Sequence, residues 1–244
     1  MMAVILAGGK GTRLKPFTMT IPKPLLPLGD VPILEIVLCQ LAAAGMRRVV
    51  VTLGHMGHFF AATIGDGSRF GLIIDYFTEE EPLGTAGPIR LLQNVEDDFL
   101  VMNGDLLTTL NYRELLESHR RHGAWGTIAI HHREVKIDYG VVQTTPDGQL
   151  GDYVEKPTIP YDVSMGINVL SRRCLEFIPP SGPFQMPELM SAMRCAGKPV
   201  YCYKTDCYWQ DIGRFDDYQQ ASADFVDAPS RFLPSPDSVP CKQL

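Results

Sequence analysis

No apolar run in the chain approaches the roughly 20 residues needed to cross a bilayer. No basic segment precedes the first apolar run, and Met2 to Ala7 is too short for the core of a secretion signal. The chain has no surplus of basic charge: 22 Lys and Arg against 28 Asp and Glu give a net charge of −6. That balance argues against a nucleic-acid partner, though a few local donors can still hold a small phosphorylated ligand. Six cysteines, Cys39, Cys174, Cys195, Cys202, Cys207 and Cys241, include no Cys-x-x-Cys pair. A zinc site or disulfide framework is therefore not expected, and reduced thiols in the cytoplasm are. No internal repeat occurs, and no hexapeptide periodicity of a β-helix.

What is present is ordinary for a globular enzyme-sized domain: 244 residues, 45% apolar and 20% charged. Met2 to Ala7 is a short apolar run closed by glycines, the pattern of a fully buried parallel strand. Ile33, Ile36, Val37, Leu41 and Ala44 then recur at helical spacing, with Asp30 as a cap and Gly45 as a stop. The alternation continues with strands over 48–53, 72–77 and 98–103, and helices over 55–64, 85–95 and from Asn111, a capping residue with Glu114 three positions on. Strands alternating with helices predict a mostly parallel, Rossmann-like α/β sheet flanked by helices.

Beyond Trp125 the chain is strand-rich, with strands expected over 126–131, 139–145 and 149–155 and a turn at Pro146-Asp147-Gly148. Helices are expected over 171–178, 186–196 and 215–225. From Asp227 the sequence is rich in Pro, Ser and Asp without periodicity, so residues 1–226 are expected to form the domain and 227–244 a loose tail.

The strongest chemical signal is Leu6-Ala7-Gly8-Gly9-Lys10-Gly11-Thr12-Arg13-Leu14, a buried strand running into a glycine loop that ends on a guanidinium. Glycines let backbone N–H groups approach an anion, and Arg13 can grip phosphate oxygens bidentately. A dinucleotide fingerprint fails because Leu14 holds its third glycine position. A P-loop fails because Gly11 separates Lys10 from Thr12.

Together with Pro22-Lys23-Pro24-Leu25, this loop resembles the signature of the sugar-phosphate nucleotidylyltransferases, over about residues 2 to 221. The resemblance implies that Leu6, Ala7, Gly8, Gly9, Gly11, Thr12, Arg13 and Lys23 bind the nucleotide, with Arg13 and Lys23 on the triphosphate. Asn103-Gly104-Asp105 closes a buried strand at the edge where open α/β sheets bind ligands. By resemblance, Asn103 and Gly104 join the nucleotide site, Asp105 is catalytic with Arg13 and Lys23, and Asp105 and Asp211 bind Mg²⁺. Two carboxylates facing phosphate oxygens suit that ion. Glu79-Glu80-Glu81-Pro82-Leu83-Gly84-Thr85-Ala86-Gly87 resembles the base-binding stretch, implying Glu79, Pro82, Gly84 and Thr85 beside the base. The Leu-Gly-Thr-Ala-Gly form resembles mannose-type guanylyltransferases and favours GTP.

The sugar side is implied at Gly140, Glu155, Lys156 and Gly166: Glu155 on the sugar, Lys156 on its phosphate, the glycines through their backbone. Asn168 departs from the Tyr many relatives carry, and no role is carried over to it. The implied partners are a nucleoside triphosphate and a sugar 1-phosphate of mannose, glucose or heptose type, with homo-oligomers common among relatives. The rival reading is a catalytically silent sensor or subunit of the same fold. His131 and His132 point to opposite strand faces and are not expected to share a metal, and Phe59 and Phe60 are expected to pack in the core.

Overall fold

A computed structural model describes residues 1–54 and 56–235 of the protein. The first half of the chain alternates strand and helix. It runs β1 (Met2–Ala7), β2 (Pro27–Leu28), β3 (Val31–Pro32), α1 (Ile33–Ala43), β4 (Arg48–Leu53), α2 (His58–Ile64), β5 (Ile73–Thr78), β6 (Asp98–Asn103), β7 (Leu106–Thr108) and α3 (Tyr112–Arg121). The second half holds β8 (Gly126–Lys136), β9 (Val141–Thr144), β10 (Leu150–Val154), β11 (Thr158–Ser171), α4 (Met186–Cys195), β12 (Val200–Lys204), β13 (Trp209–Asp211), α5 (Phe215–Asp227) and α6 (Pro229–Phe232).

Seven strands form the central sheet in the order β12-β8-β11-β6-β1-β4-β5. Pairs β12–β8, β6–β1, β1–β4 and β4–β5 are parallel, and only β11 runs against its two neighbours. Period-2 alternation divides β1 between two cores: Ala3, Ile5 and Ala7 face a cluster with Leu38, Phe60 and Leu115 from α1, α2 and α3. Met2 and Val4 face the opposite cluster, with Leu189 and Met193 of α4. Helices therefore cover both faces, which is why the strands read as unbroken apolar runs. A third core joins Leu14, Leu28, Ile36, Leu107, Ile212 and Phe225 beneath the glycine loop and α5. Among the described residues no helix is long and apolar enough to cross a membrane.

Several expectations change in detail. Asp30 does not cap α1: β2 and β3 pair as a tight hairpin, Asp30 sits in its turn, and Pro32 precedes the helix. The helix expected over 85–95 shrinks to a 3₁₀ segment at Gly87–Leu91, because residues 83–87 instead hydrogen-bond to Phe184. The segment expected over 171–178 is likewise 3₁₀, Arg172–Phe177. Asn111 does cap α3, accepting from Arg113 N and Glu114 N at 3.1 and 3.3 Å. Phe60 is buried, but Phe59 is half-exposed and packs on His58, with ring centroids 4.4 Å apart.

The strand-rich second half is not separate from the sheet. β8, β11 and β12 extend it, while the β9–β10 hairpin stands apart and β13 pairs with β7 in a two-stranded sheet. Nor is the chain loose directly after Asp227: α6 buries Phe232 to 2% exposure in the third core, and its carbonyl accepts from Gln40 Nε2 at 2.8 Å. One aromatic ring, also packed edge-on to Tyr208, holds a segment whose composition reads as polar. The rest of the expected tail, 236–244, lies outside the described residues, as does His55.

Candidate functional site

The glycine loop leaves β1 at the carboxyl edge of the sheet. Its conformation is fixed by Thr18 Oγ1 donating to Gly11 O at 2.8 Å and by the 3₁₀ turn Thr12–Leu14, which drives Leu14 into the third core. Arg13, one residue earlier, stays exposed. The Pro-Lys-Pro segment forms a second 3₁₀ turn, Lys23–Leu25, and its proline fixes φ where the turn begins. Lys23 is buried to 9% exposure and ion-pairs with Asp105.

Asp105 follows β6, whose register places Asn103 beside Leu6 of β1, and Gly104 N donates to Leu6 O at 3.0 Å. The chain then enters β7, which pairs antiparallel with β13 so that Asp211 lies opposite Leu106. Ile212 N donates to Asp105 O at 3.2 Å. This short two-stranded sheet is what brings two carboxylates from distant parts of the sequence together. The Asp211 carboxyl is raised above its ordinary pKa, first by the protein packed around it and then by the like charge of Asp105, with Lys23 and Arg13 opposing. Arg13 also lies against Gly213, where a Cβ would come 3.5 Å from its guanidinium nitrogens.

Two adjoining clefts open here. The smaller, about 220 Å³, is lined by Ala7, Gly11, Thr12, Arg13, Lys23 and Asp105, with Leu6, Gly9 and Pro24. The larger, about 530 Å³, shares Leu6, Gly9 and Asp105 and extends across β1 and β4 to Gly8, Glu79, Pro82, Gly84, Thr85 and Asn103. Glu79 Oε2 accepts from Leu83 N at 2.9 Å and so closes the 79–83 loop on itself. Burial raises its carboxyl pKa, and the Leu83 N–H works against that shift. Thr85 is tied to the start of α4: its N and Oγ1 donate to Gln185 Oε1 at 3.2 Å each, and Oγ1 accepts from Met186 N at 2.7 Å.

Gly140, Glu155, Lys156 and Gly166 line neither cleft; Gly140 packs against Tyr153 and Glu155, a Cβ at Gly140 coming within 3.0 Å of Glu155 Oε2. Lys156 Nζ lies 3.9 Å from Glu155 Oε1, and both side chains are exposed. Gly166 has φ +71° at the bulge of β11 between Ser164 and Asn168, and a Cβ there would strike Asn103 Nδ2 at 2.6 Å. That close approach links the bulge of β11 to the end of β6. Asn168 is buried within β11.

The carboxylates fit a divalent cation of the magnesium kind. Among the described residues no group of three or more His, Cys, Asp or Glu could enclose a metal. Mg²⁺ does not need one, since it takes one or two carboxylates and completes its shell with phosphate oxygens and water. Asp105 and Asp211 could form such a pair: burial and then the charge of Asp105 raise Asp211, and a cation would relieve the repulsion between the two. His131 and His132 hold Thr205 O and Asp162 instead, at 3.2 and 3.3 Å.

Residues 2–228 match the family model described as "Nucleotidyl transferase". The chain belongs to that family. It is 35% identical over 230 residues to the mannose-1-phosphate guanylyltransferase of Mycobacterium tuberculosis, covering 92% of this chain and 64% of that protein. It is 32% identical over 241 residues to the UTP–glucose-1-phosphate uridylyltransferase of a Synechocystis strain, covering 91% and 62%. The chain thus spans slightly less than two thirds of the length of these relatives. HddC from Yersinia pseudotuberculosis is a solved neighbour at 27% identity and TM-score 0.71, covering 92% of this chain and 99% of that one. The same protein has been solved complexed with GMP-PN.

Sequence reasoning passed over several residues at these clefts. Lys10, Thr52 and Gly54 line the larger cleft, and Gln185 holds Thr85. At Gly54 a Cβ would lie 2.5 Å from Gly8 O, so the two loops meet backbone to backbone. A polar residue ending the run Val49-Val50-Val51-Thr52 was the available signal for Thr52.

Proposed function

We propose that the protein is a sugar-1-phosphate nucleotidylyltransferase. A phosphate oxygen of a sugar 1-phosphate attacks the α-phosphorus of a nucleoside triphosphate. The bond from that phosphorus to the oxygen bridging to the β-phosphate breaks, and pyrophosphate leaves with the bridging oxygen. The observation that carries this reading is the cluster of Arg13, Lys23, Asp105 and Asp211 beside a nucleotide-sized cleft at the carboxyl edge of the sheet.

Both substrates already carry their nucleophile and leaving group, so the protein supplies position and charge. Arg13 and Lys23 hold the triphosphate and the departing pyrophosphate, Lys23 exchanging Asp105 for a phosphate oxygen. Asp105 and Asp211 hold Mg²⁺, which when bound neutralises phosphate charge. The backbone of Gly8, Gly9 and Gly11 faces the phosphates, while Glu79, Pro82, Gly84 and Thr85 flank the base. Glu155 takes sugar hydroxyls, Lys156 aligns the sugar phosphate, and Gly140 and Gly166 offer backbone groups to the sugar. The sugar phosphate has a second pKa of about 6 and needs no general base.

For the donor we propose GTP. Glu79 Oε2 is engaged by Leu83 N, which leaves Oε1 and the Glu80 carboxylate for the N1–H and N2–H₂ donors of guanine. The acceptor is a mannose-, glucose- or heptose-type phosphate. The cytoplasm is the proposed location, in keeping with a sequence whose cysteines include no Cys-x-x-Cys pair.

The test is pyrophosphate release with GTP, UTP, dTTP, ATP and CTP against those three sugar 1-phosphates in Mg²⁺. Release should need both substrates and be fastest with GTP. Preference for another base would remove the guanine assignment alone. No release with any pair would favour the catalytically silent reading.

A further inference from the structure

β4 is a central strand buried on both faces and paired to β1 and β5, a setting that calls for apolar side chains. Thr52 breaks the run Val49-Val50-Val51. It is 1% exposed, and its hydroxyl has no hydrogen-bond partner among the described residues. A buried hydroxyl without a partner is destabilising, and valine would fill the same space without that cost. Folding therefore does not account for the hydroxyl.

Its position does. Among the described residues, Arg90 Nε and His119 Nε2 are also buried without a hydrogen-bond partner, but of these three only Thr52 lines the large cleft. Thr52 stands in register with Leu6 and Phe77, away from the smaller cleft that holds Arg13 and Lys23. The meeting of Gly8 and Gly54 narrows the floor beside it. A hydrated phosphate or ribose does not suit a hydroxyl that solvent scarcely touches, whereas the edge of a flat ring does.

We infer that the Thr52 hydroxyl hydrogen-bonds the base edge of the bound nucleotide and helps to select it. The inference rests on the reading of the large cleft as the nucleotide site. A hydroxyl can donate or accept, so it supports either polarity of base edge and works with the acceptor Glu79 beside it.

The test is Thr52→Val and Thr52→Ser in the full chain. Thr52→Val should melt at or above the wild-type temperature without ligand. It should raise KM for the preferred nucleoside triphosphate about fivefold, and shrink the thermal shift that nucleotide induces. KM for the sugar phosphate should hold, and Thr52→Ser should restore nucleotide binding. If the valine variant does not fold, Thr52→Ala carries the same expectation for nucleotide KM. Wild-type nucleotide KM and base preference in the Val or Ala variant overturn the inference, provided Glu79→Gln alters them. If Thr52→Val, Glu79→Gln and Arg13→Ala all leave nucleotide binding unchanged, the reading of the cleft fails and takes the inference with it.

Discussion

Asp105 and Lys156, which the proposed function assigns to the nucleotide and the sugar phosphate, are held in different ways. Asp105 lies between β6 and β7, strands whose side chains are mostly buried, and its backbone carbonyl accepts from Ile212. Lys156 follows β10, every residue of which is exposed and which pairs only with β9. The first setting suits fixed charge, because groups held before the substrate arrives need no reorganisation during reaction. The second, with little buried apolar contact, opens at low free-energy cost and can follow a substrate that varies in shape. The two sides should therefore fail differently: damage to the sheet side should appear in turnover, and damage to the hairpin in substrate affinity.

The largest effect should come from the paired carboxylates. Asp105→Asn and Asp211→Asn should each cut kcat about a hundredfold or more while leaving the melting temperature near wild type. Near-normal turnover at saturating Mg²⁺ would remove that aspartate from the site. Next comes the support beneath it. Phe232 shares the third core with Leu14 and Ile212, neighbours of Arg13 and Asp211. Phe232→Ala should lower unfolding free energy by about 3 kcal/mol in urea titration, and a chain stopped at Ala228 should lose at least as much. An unchanged midpoint would return this segment to the status of a loose tail.

The sequence made the sheet side legible and the hairpin side only partly so. The glycine loop and Pro22-Lys23-Pro24 lie close together and carry their chemistry in residue type and spacing. Asp211 meets Asp105 through β7–β13 pairing, which no local pattern announces, so only resemblance connected them. The 14-residue strand β11 is not expected from the sequence, which places Pro160 and Gly166 within it. In the fold, Pro160 sits within the antiparallel ladder to β8 and Gly166 forms the bulge. Thr52 escaped notice because threonine is a natural strand residue, and only the missing partner for its hydroxyl sets it apart. Phe232 is one ring in a polar stretch, and its burial depends on a core assembled from elsewhere.

A smaller effect tests whether pH disturbs the sheet rather than the site. His119 is buried against Thr127, with Nδ1 and Oγ1 2.8 Å apart, and faces Asp98 at 3.5 Å and the more distant charges of Arg120 and Arg173. Burial holds its pKa below the ordinary 6.5, with Asp98 opposing. The unfolded chain then binds the proton more readily than the folded one, so stability falls as pH drops below about 6.5. His119→Gln should flatten the melting temperature against pH in that window. An unchanged slope would place the pH dependence elsewhere.

The most direct test of the central division is two-substrate steady-state kinetics on Arg13→Ala and Lys156→Ala. Arg13→Ala should depress kcat about a hundredfold and barely move the sugar-phosphate KM. Lys156→Ala should raise the sugar-phosphate KM about tenfold, with the smaller change in kcat. Equal effects of both substitutions on both substrates would contradict a site built from a fixed nucleotide side and an adaptable sugar side.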